Sequence, residues 1–171
     1  MNTVDSNDFL PAIPTETKQL LELQYTLYTD GSCDTSKRGG WAFVLVDNKN
    51  KRTVKSGSVV NATNNMMELN AIVQGLEYID NLLTDHNRRF ATIKLVSDST
   101  YCTNSLREWI HNWVSSGDIA KRPNNELLLR VYPLLLKYQT NLHITWQARN
   151  THECLTLCDT LSNQERTSIL V

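Results

Sequence analysis

The chain has 171 residues, of which 40% are hydrophobic and 20% are charged, and its formal net charge at pH 7 is -1. This length and composition predict one globular domain and exclude a membrane-spanning chain, because no window approaches the apolar run that a bilayer requires. The near-zero charge neither favours nor excludes a polyanionic partner. Four scattered cysteines in a chain of this size predict free thiols rather than a disulfide framework.

Residues 1–24 differ in character from the rest of the chain. They contain two prolines and little periodic pattern, which predicts a flexible leader ahead of one domain at residues 25–171. The leader has no basic start followed by an apolar stretch, so it does not read as a secretory signal. We therefore expect a soluble protein that stays inside the cell, in the cytoplasm.

The hydrophobic pattern after residue 24 predicts an α/β domain. Strands are predicted where β-branched and aromatic residues cluster between turn residues, at 25–32, 40–47, 51–60, 91–97 and 142–146. Helices are predicted where apolar residues recur at helical spacing: from Thr63 as N-cap to Leu83, from Ser99 through Trp109 with a second piece at 111–114, at 125–138 with a kink at Pro133, and at 153–165. The element order is β-β-β-α-β-α-α-β-α.

Four acidic residues lie next to or within segments that are predicted to pack into strands or helices. Asp30 follows YTLYT, Asp98 follows IKLVS, Glu68 lies within MMEL, and Asp159 lies in the last predicted helix. An acidic residue is most often a solvated surface group. A carboxylate within a packed segment, however, is costly unless a cation or donor compensates it, and several together call for divalent ions. Oxygen-only ligands favour Mg²⁺ or Mn²⁺ over zinc.

Seven motifs carry a resemblance to a known family. They are YTDGSC (28–33), GGWAFVL (39–45), TNNMMELNAIVQGLE (63–77), SDSTY (97–101), EWIHNW (108–113), NNELL (124–128) and CDTLSN (158–163). TDGS alone would be a weak signal, but the motifs in this order and spacing resemble type 1 ribonuclease H over residues 25–163.

The resemblance implies a fold and a reaction. The fold is a mixed five-stranded sheet with helices on both faces. In the family, the acidic positions that correspond to Asp30, Glu68, Asp98 and Asp159 bind two divalent metal ions, here expected to be Mg²⁺ with Mn²⁺ as a substitute. The implied activity is endonucleolytic hydrolysis of the RNA strand of RNA/DNA hybrids, giving 5′-phosphate and 3′-hydroxyl ends. We expect the protein to act as a monomer.

The resemblance also assigns substrate contacts. Asn64 and Asn65 match asparagines that reach the minor groove, although helix capping is an alternative for both. Thr63 and Asn125 match side chains that hold a phosphate of the DNA strand. Ser99, Thr100 and Cys33 complete the expected substrate-binding set, with threonine at position 100 in place of the family's glutamine.

The stretch QARNTHECLTLC before Asp159 departs most from the family, which has a glycine- and histidine-containing loop there. His152 is the histidine of this stretch and is a candidate catalytic residue that assists proton transfer or product release; an exposed loop residue is the alternative. Arg149 is a second candidate, which would contact a phosphate instead. The sequence does not choose between them. Cys154 and Cys158, four residues apart, are interpreted as apolar residues on one helix face rather than zinc ligands.

Two other functions remain open from the sequence. The altered loop and the reduced basic segment GDIAKRP (117–123) are compatible with a hybrid-binding module of low activity, although all four acids are retained. A structure-selective DNA nuclease would keep the fold and the metals, but Asn64 and Asn65 favour ribose sensing.

Overall fold

A five-stranded mixed sheet forms the centre of the computed structural model, which describes residues 12, 14 and 23–170. The strands are β1 (Gln24–Cys33), β2 (Gly39–Asp47), β3 (Arg52–Val59), β4 (Thr92–Ser97) and β5 (Leu142–Trp146). Their order across the sheet is β3-β2-β1-β4-β5. The first three strands are antiparallel, and β4 and β5 run parallel to β1. The predicted mixed sheet is therefore confirmed.

The helices occupy the predicted segments with adjusted ends, apart from one short helix at Asp85–Arg88 that the sequence did not predict. They are α1 (Asn64–Leu82), the short α2 (Asp85–Arg88), α3 (Thr100–Asn104), α4 (Ile110–Ser116), α5 (Asn125–Lys137) and α6 (Glu153–Ser168). A π-helical stretch, Ser105–Trp109, joins α3 to α4, so the two predicted pieces form one continuous helical segment. The 3-10 turn Asp118–Lys121 precedes α5, which continues through Pro133.

Helices cover both faces of the sheet because alternate residues of each strand point to opposite sides. Leu27 of β1 belongs to the larger core, which includes the apolar face of α1 and α5. Its neighbour Tyr28 packs on the other side, against a smaller core in which α6 contributes Cys154 and Cys158. These two buried thiols therefore pack as small apolar groups, and all four cysteines are free.

The predicted leader lies almost wholly outside the described residues, and Gln24 already belongs to β1. Across residues 23–170, no helix combines the length and the apolar character needed to span a bilayer.

Candidate active site

Two of the predicted acidic residues meet where the parallel pairing of β1 with β4 ends. Thr29 of β1 pairs with Ser97, the last residue of β4. The residues that follow, Asp30 and Asp98, therefore lie at the same edge of the sheet. Because β1 continues to Cys33 while β4 stops, Asp30 is enclosed, with an exposed fraction of 4%, and Asp98 is only partly buried.

Helix α1 brings the third carboxylate to this edge. Thr63 Oγ1 accepts a hydrogen bond from the Met66 N–H (3.2 Å) and so caps the helix, as predicted. Glu68 follows about one turn later and lies against β1. One ligand oxygen from each of Asp30, Glu68 and Asp98 lies within 4.8 Å of the other two. A single cation at this edge can therefore contact all three residues.

The surroundings of these three acidic side chains disfavour their charged forms. Burial, and next the charge of Asp98, raise the pKa of Asp30 to about 7. Burial and then Asp30 raise the pKa of Glu68 well above its usual value. Burial also raises the pKa of Asp98, although the Arg149 guanidinium opposes this shift. Glu68 Oε2 is buried and has no hydrogen-bond partner among the described residues. A divalent cation would offset the repulsion and give this oxygen a partner, so the residues fit a metal ion.

Asp159, on α6, lies beside this group rather than within it. Its Oδ1 accepts hydrogen bonds from Arg149 Nη2 (2.6 Å) and from Asn163 Nδ2 (3.2 Å). Its charge still reaches the group, because it contributes to the raised pKa values of Asp30 and Asp98. The expected cluster of four carboxylates is thus a group of three with the fourth held at its border by an arginine.

In the loop before α6, Arg149 lines the carboxylate cavity and His152 does not. The His152 ring caps α6, with Nδ1 accepting from the Cys154 N–H (3.1 Å), and stacks on Tyr28 with ring centroids 4.5 Å apart. His152 and Tyr28 line a different cavity, and within residues 23–170 the two cavities have no lining residue in common. The structure therefore does not bring His152 to the acids, because capping the helix fixes its side chain on Tyr28.

A cavity of about 500 Å³ opens over the carboxylates. The predicted substrate-binding residues that line it are Asn64, Asn65, Ser99, Thr100 and Cys33. The helix cap comes from Thr63, so the two asparagines stay exposed in the first turn of α1. Ser99 Oγ caps α3 by accepting from the Cys102 N–H (3.1 Å). Asn64 and Asn65 therefore do not cap α1, whereas Ser99 both lines the cavity and caps α3.

Several residues around this site were not predicted from the sequence, among them Ser32, Asn163, Arg166 and Trp146. Asn163 Oδ1 accepts hydrogen bonds from Ser32 Oγ (2.8 Å) and from Arg166 Nε (3.0 Å), and all three residues line the cavity. Helical spacing from Asp159 is the signal that could have identified Asn163 and Arg166. Trp146 Nε1 donates to the Asp98 carbonyl (3.0 Å), which holds the chain after β4. No local pattern marks this contact.

A second groove of about 720 Å³ adjoins the carboxylate cavity and shares Asn65 and Tyr101 with it. Trp109 lines it and is 41% exposed, and the Arg122 guanidinium lies 4.3 Å from the centroid of the Trp113 ring. The other lining residues are Thr63, Asn112, Pro123 and Asn124. The groove therefore combines aromatic surface with donors suited to a nucleic-acid backbone.

The expected partner of Thr63 in this groove requires a correction. Asn125 was expected beside Thr63, but its Nδ2 donates to the Ala120 carbonyl (2.9 Å). The preceding residue, Asn124, lines the groove. Asn124 has left-handed backbone geometry (φ 63°), which turns the chain just before α5. The residue that lines the groove is therefore Asn124, one position before the predicted Asn125.

Comparison with known proteins agrees with this arrangement. A sequence model of the RNase H family matches residues 22–167, which include all four acidic residues and every strand of the sheet. The chain belongs to the ribonuclease H family. It is accordingly a ribonuclease H enzyme, a hydrolase of a metal-dependent family, and its acidic group is suited to bind a metal ion.

Individual relatives match over most of their length. The ribonuclease H of Chromohalobacter salexigens is 35% identical over 144 residues, which cover 81% of this chain and 81% of that protein. The ribonuclease H of Campylobacter curvus is 30% identical over 146 residues, covering 83% and 92%.

Solved structures show the same fold at lower identity. LC11-RNase H1, isolated from compost, superposes with a TM-score of 0.66 at 18% identity, covering 85% of this chain and 97% of that one. The same protein in complex with an RNA/DNA hybrid gives a TM-score of 0.64 at 19% identity, covering 84% and 97%.

Proposed function

We propose that this enzyme is an endonuclease that hydrolyses the RNA strand of RNA/DNA hybrids by a two-metal mechanism and leaves 5′-phosphate and 3′-hydroxyl ends. The observation that carries the proposal is the group of Asp30, Glu68 and Asp98, in which a buried Glu68 oxygen has no partner among the described residues. The complex of LC11-RNase H1 with an RNA/DNA hybrid supports the substrate.

The metal ions are Mg²⁺, with Mn²⁺ as a substitute, because the donor set consists of carboxylate oxygens. Asp30, Glu68 and Asp98 would hold one ion, and Asp159 would complete the set for the second. When bound, the two ions supply the charge that activates a water molecule and stabilises the leaving 3′ oxygen.

The side chains around the cavity select and hold the substrate. The exposed amides of Asn64 and Asn65 offer donors and acceptors to ribose 2′-hydroxyl groups and base edges, which distinguishes an RNA strand from DNA. Ser99, Thr100 and Cys33 line the same cavity and add further contacts to the substrate. With these contacts the RNA strand would lie over the carboxylates.

The adjoining groove receives the DNA strand. Thr63 and Asn124 supply a hydroxyl and an amide for a phosphate, and the exposed Trp109 ring packs against the sugar backbone.

We also propose that the enzyme works as a monomer, and light scattering of the purified protein tests this.

Cleavage of three matched substrates tests the reaction. The protein is incubated with Mg²⁺ or Mn²⁺ and an end-labelled RNA/DNA hybrid, duplex RNA or duplex DNA of one sequence. We expect metal-dependent cuts in the RNA of the hybrid alone, with 5′-phosphate product ends, and none with Asp98→Asn. Hybrid binding without cleavage would indicate a binding module, and cuts in duplex DNA would indicate a structure-selective nuclease.

A further inference from the structure

Arg149 holds the carboxylate that stands apart from the group of three. Its Nη2 lies 2.6 Å from Asp159 Oδ1. Among the described residues, the other three acids form no ion pair with a basic side chain. The Arg149 side chain is 63% exposed and lines the carboxylate cavity. Its guanidinium can therefore leave Asp159 without breaking buried contacts.

The charges around the site change when divalent ions bind. In the metal-free enzyme the Arg149 guanidinium is the counter-charge of Asp159, while burial and mutual repulsion raise the pKa values of Asp30, Glu68 and Asp98. Two divalent ions balance four carboxylates by themselves, which leaves the guanidinium without a counter-charge inside the site. A backbone phosphate of a bound nucleic acid is the nearest suitable anion, and the planar guanidinium donates two parallel hydrogen bonds to such a group.

We propose, building on the two-metal function, that Arg149 is a placeholder cation: it holds Asp159 in the metal-free enzyme, yields this carboxylate to the second divalent ion, and then contacts a phosphate of the hybrid. Asn163 Nδ2 stays on the Asp159 backbone carbonyl (2.9 Å), so Asp159 keeps its place on α6 during the exchange. Arg149 is thus a positioning residue for Asp159 before it becomes a substrate-binding one.

Calorimetric titration with Mg²⁺, without nucleic acid, tests the exchange. The Arg149→Ala variant should bind the second ion about two- to fivefold more tightly than the wild type, because the competing exposed ion pair is gone. Arg149→Lys keeps a positive charge and should give an intermediate affinity. Equal affinities in the wild type and Arg149→Ala overturn the exchange, whereas absence of any divalent binding in the wild type would overturn the two-metal function instead.

Two matched controls separate the exchange from a general charge effect. In an Asp159→Asn background the partner of the ion pair is neutral, so Arg149→Ala should not change the affinity of the remaining ion. Arg166→Ala removes an arginine that lines the same cavity but donates to the Asn163 side chain. It should tighten Mg²⁺ binding less than Arg149→Ala does. Equal tightening in either control overturns the placeholder role.

The phosphate contact has its own readout. At saturating Mg²⁺, Arg149→Ala should cleave the hybrid about tenfold more slowly, the loss expected for one charged hydrogen-bonded contact, although it binds the metal more tightly. Opposite signs for metal affinity and turnover are not expected of a residue that only supports the loop. An unchanged turnover number and KM overturn the phosphate contact.

Discussion

The backbone of Gly31 lies directly against Glu68. A Cβ atom on Gly31 would stand 2.3 Å from the Glu68 nitrogen and 2.2 Å from the carbonyl carbon of Met67. Both distances are shorter than atoms tolerate, so only glycine permits this approach of β1 to α1. Because Asp30 precedes Gly31, the contact also sets the spacing between the Asp30 and Glu68 carboxylates.

Replacing Gly31 with alanine should separate these two carboxylates. We expect Gly31→Ala to cost about 1–3 kcal/mol of unfolding free energy, since backbone must move to admit the methyl group, and to weaken Mg²⁺ binding. Thermal unfolding and calorimetry measure the two effects. Ser58→Ala, at an exposed position of β3, is the control and should change neither. Wild-type Mg²⁺ affinity in Gly31→Ala would show that the contact does not set the spacing.

Removing the buried charge of Asp30 should stabilise the metal-free enzyme. At pH 8 with EDTA, Asp30→Asn is expected to raise the unfolding free energy by about 1–2 kcal/mol, because an enclosed carboxylate surrounded by like charges is lost. With Mg²⁺ present, the wild type should gain stability on binding and the variant should gain less. Differential scanning calorimetry in both buffers checks this. The exposed Asp118→Asn serves as control, and a destabilised Asp30→Asn in EDTA would contradict the argument.

A capping role for His152 predicts that asparagine can replace it. His152→Asn keeps a side-chain acceptor for the Cys154 N–H and loses only the ring stacked on Tyr28, so it should be more stable than His152→Ala, which also loses the cap, a contribution of about 1 kcal/mol. Hybrid cleavage by His152→Asn should stay close to the wild-type rate. A stable His152→Asn protein that cleaves about 100-fold more slowly would instead identify the imidazole as the proton carrier that the sequence suggested.

Asp80 should make stability depend on pH in the acidic range. Its Oδ1 accepts from Tyr138 Oη (2.7 Å) and its Oδ2 from Lys137 Nζ (3.0 Å), and Arg88 adds an ion pair. Burial raises the pKa of Asp80, but the Tyr138 and Lys137 hydrogen bonds and the nearby positive charges lower it by more, so it lies below its usual range.

A carboxylate whose folded-state pKa is lowered adds stability above its unfolded pKa of about 4, and this contribution disappears as the pH falls through the folded value. Asp80→Asn should therefore cost about 2 kcal/mol at pH 7 and progressively less below about pH 4. Urea unfolding across this range measures the difference, with Asp118→Asn as the exposed control. A cost that does not change with pH would show that the charge of Asp80 contributes nothing.

The sequence by itself determined the five strands, the longer helices, the family and the acidic residues. Apolar spacing located the helix that starts after Thr63, and β-branched runs located all five strands, because burial imposes periodicity on any chain that folds this way. Asp30, Glu68 and Asp98 were recognisable since each interrupts an apolar segment, and the structure brings their ligand oxygens within 4.8 Å of one another.

Tertiary structure alone decided which polar side chains reach the acids. The pairing of Thr29 with Ser97 and the close approach of Gly31 to α1 are contacts between distant segments, and no local pattern encodes them. The loop before α6 lacks periodicity, so the sequence offered His152 as the catalytic candidate and left Arg149 open as a second one. The cap at α6 then fixed His152 on Tyr28 and left Arg149 beside Asp159. Side-chain direction in irregular backbone depends on such contacts, which exist only once the chain has folded.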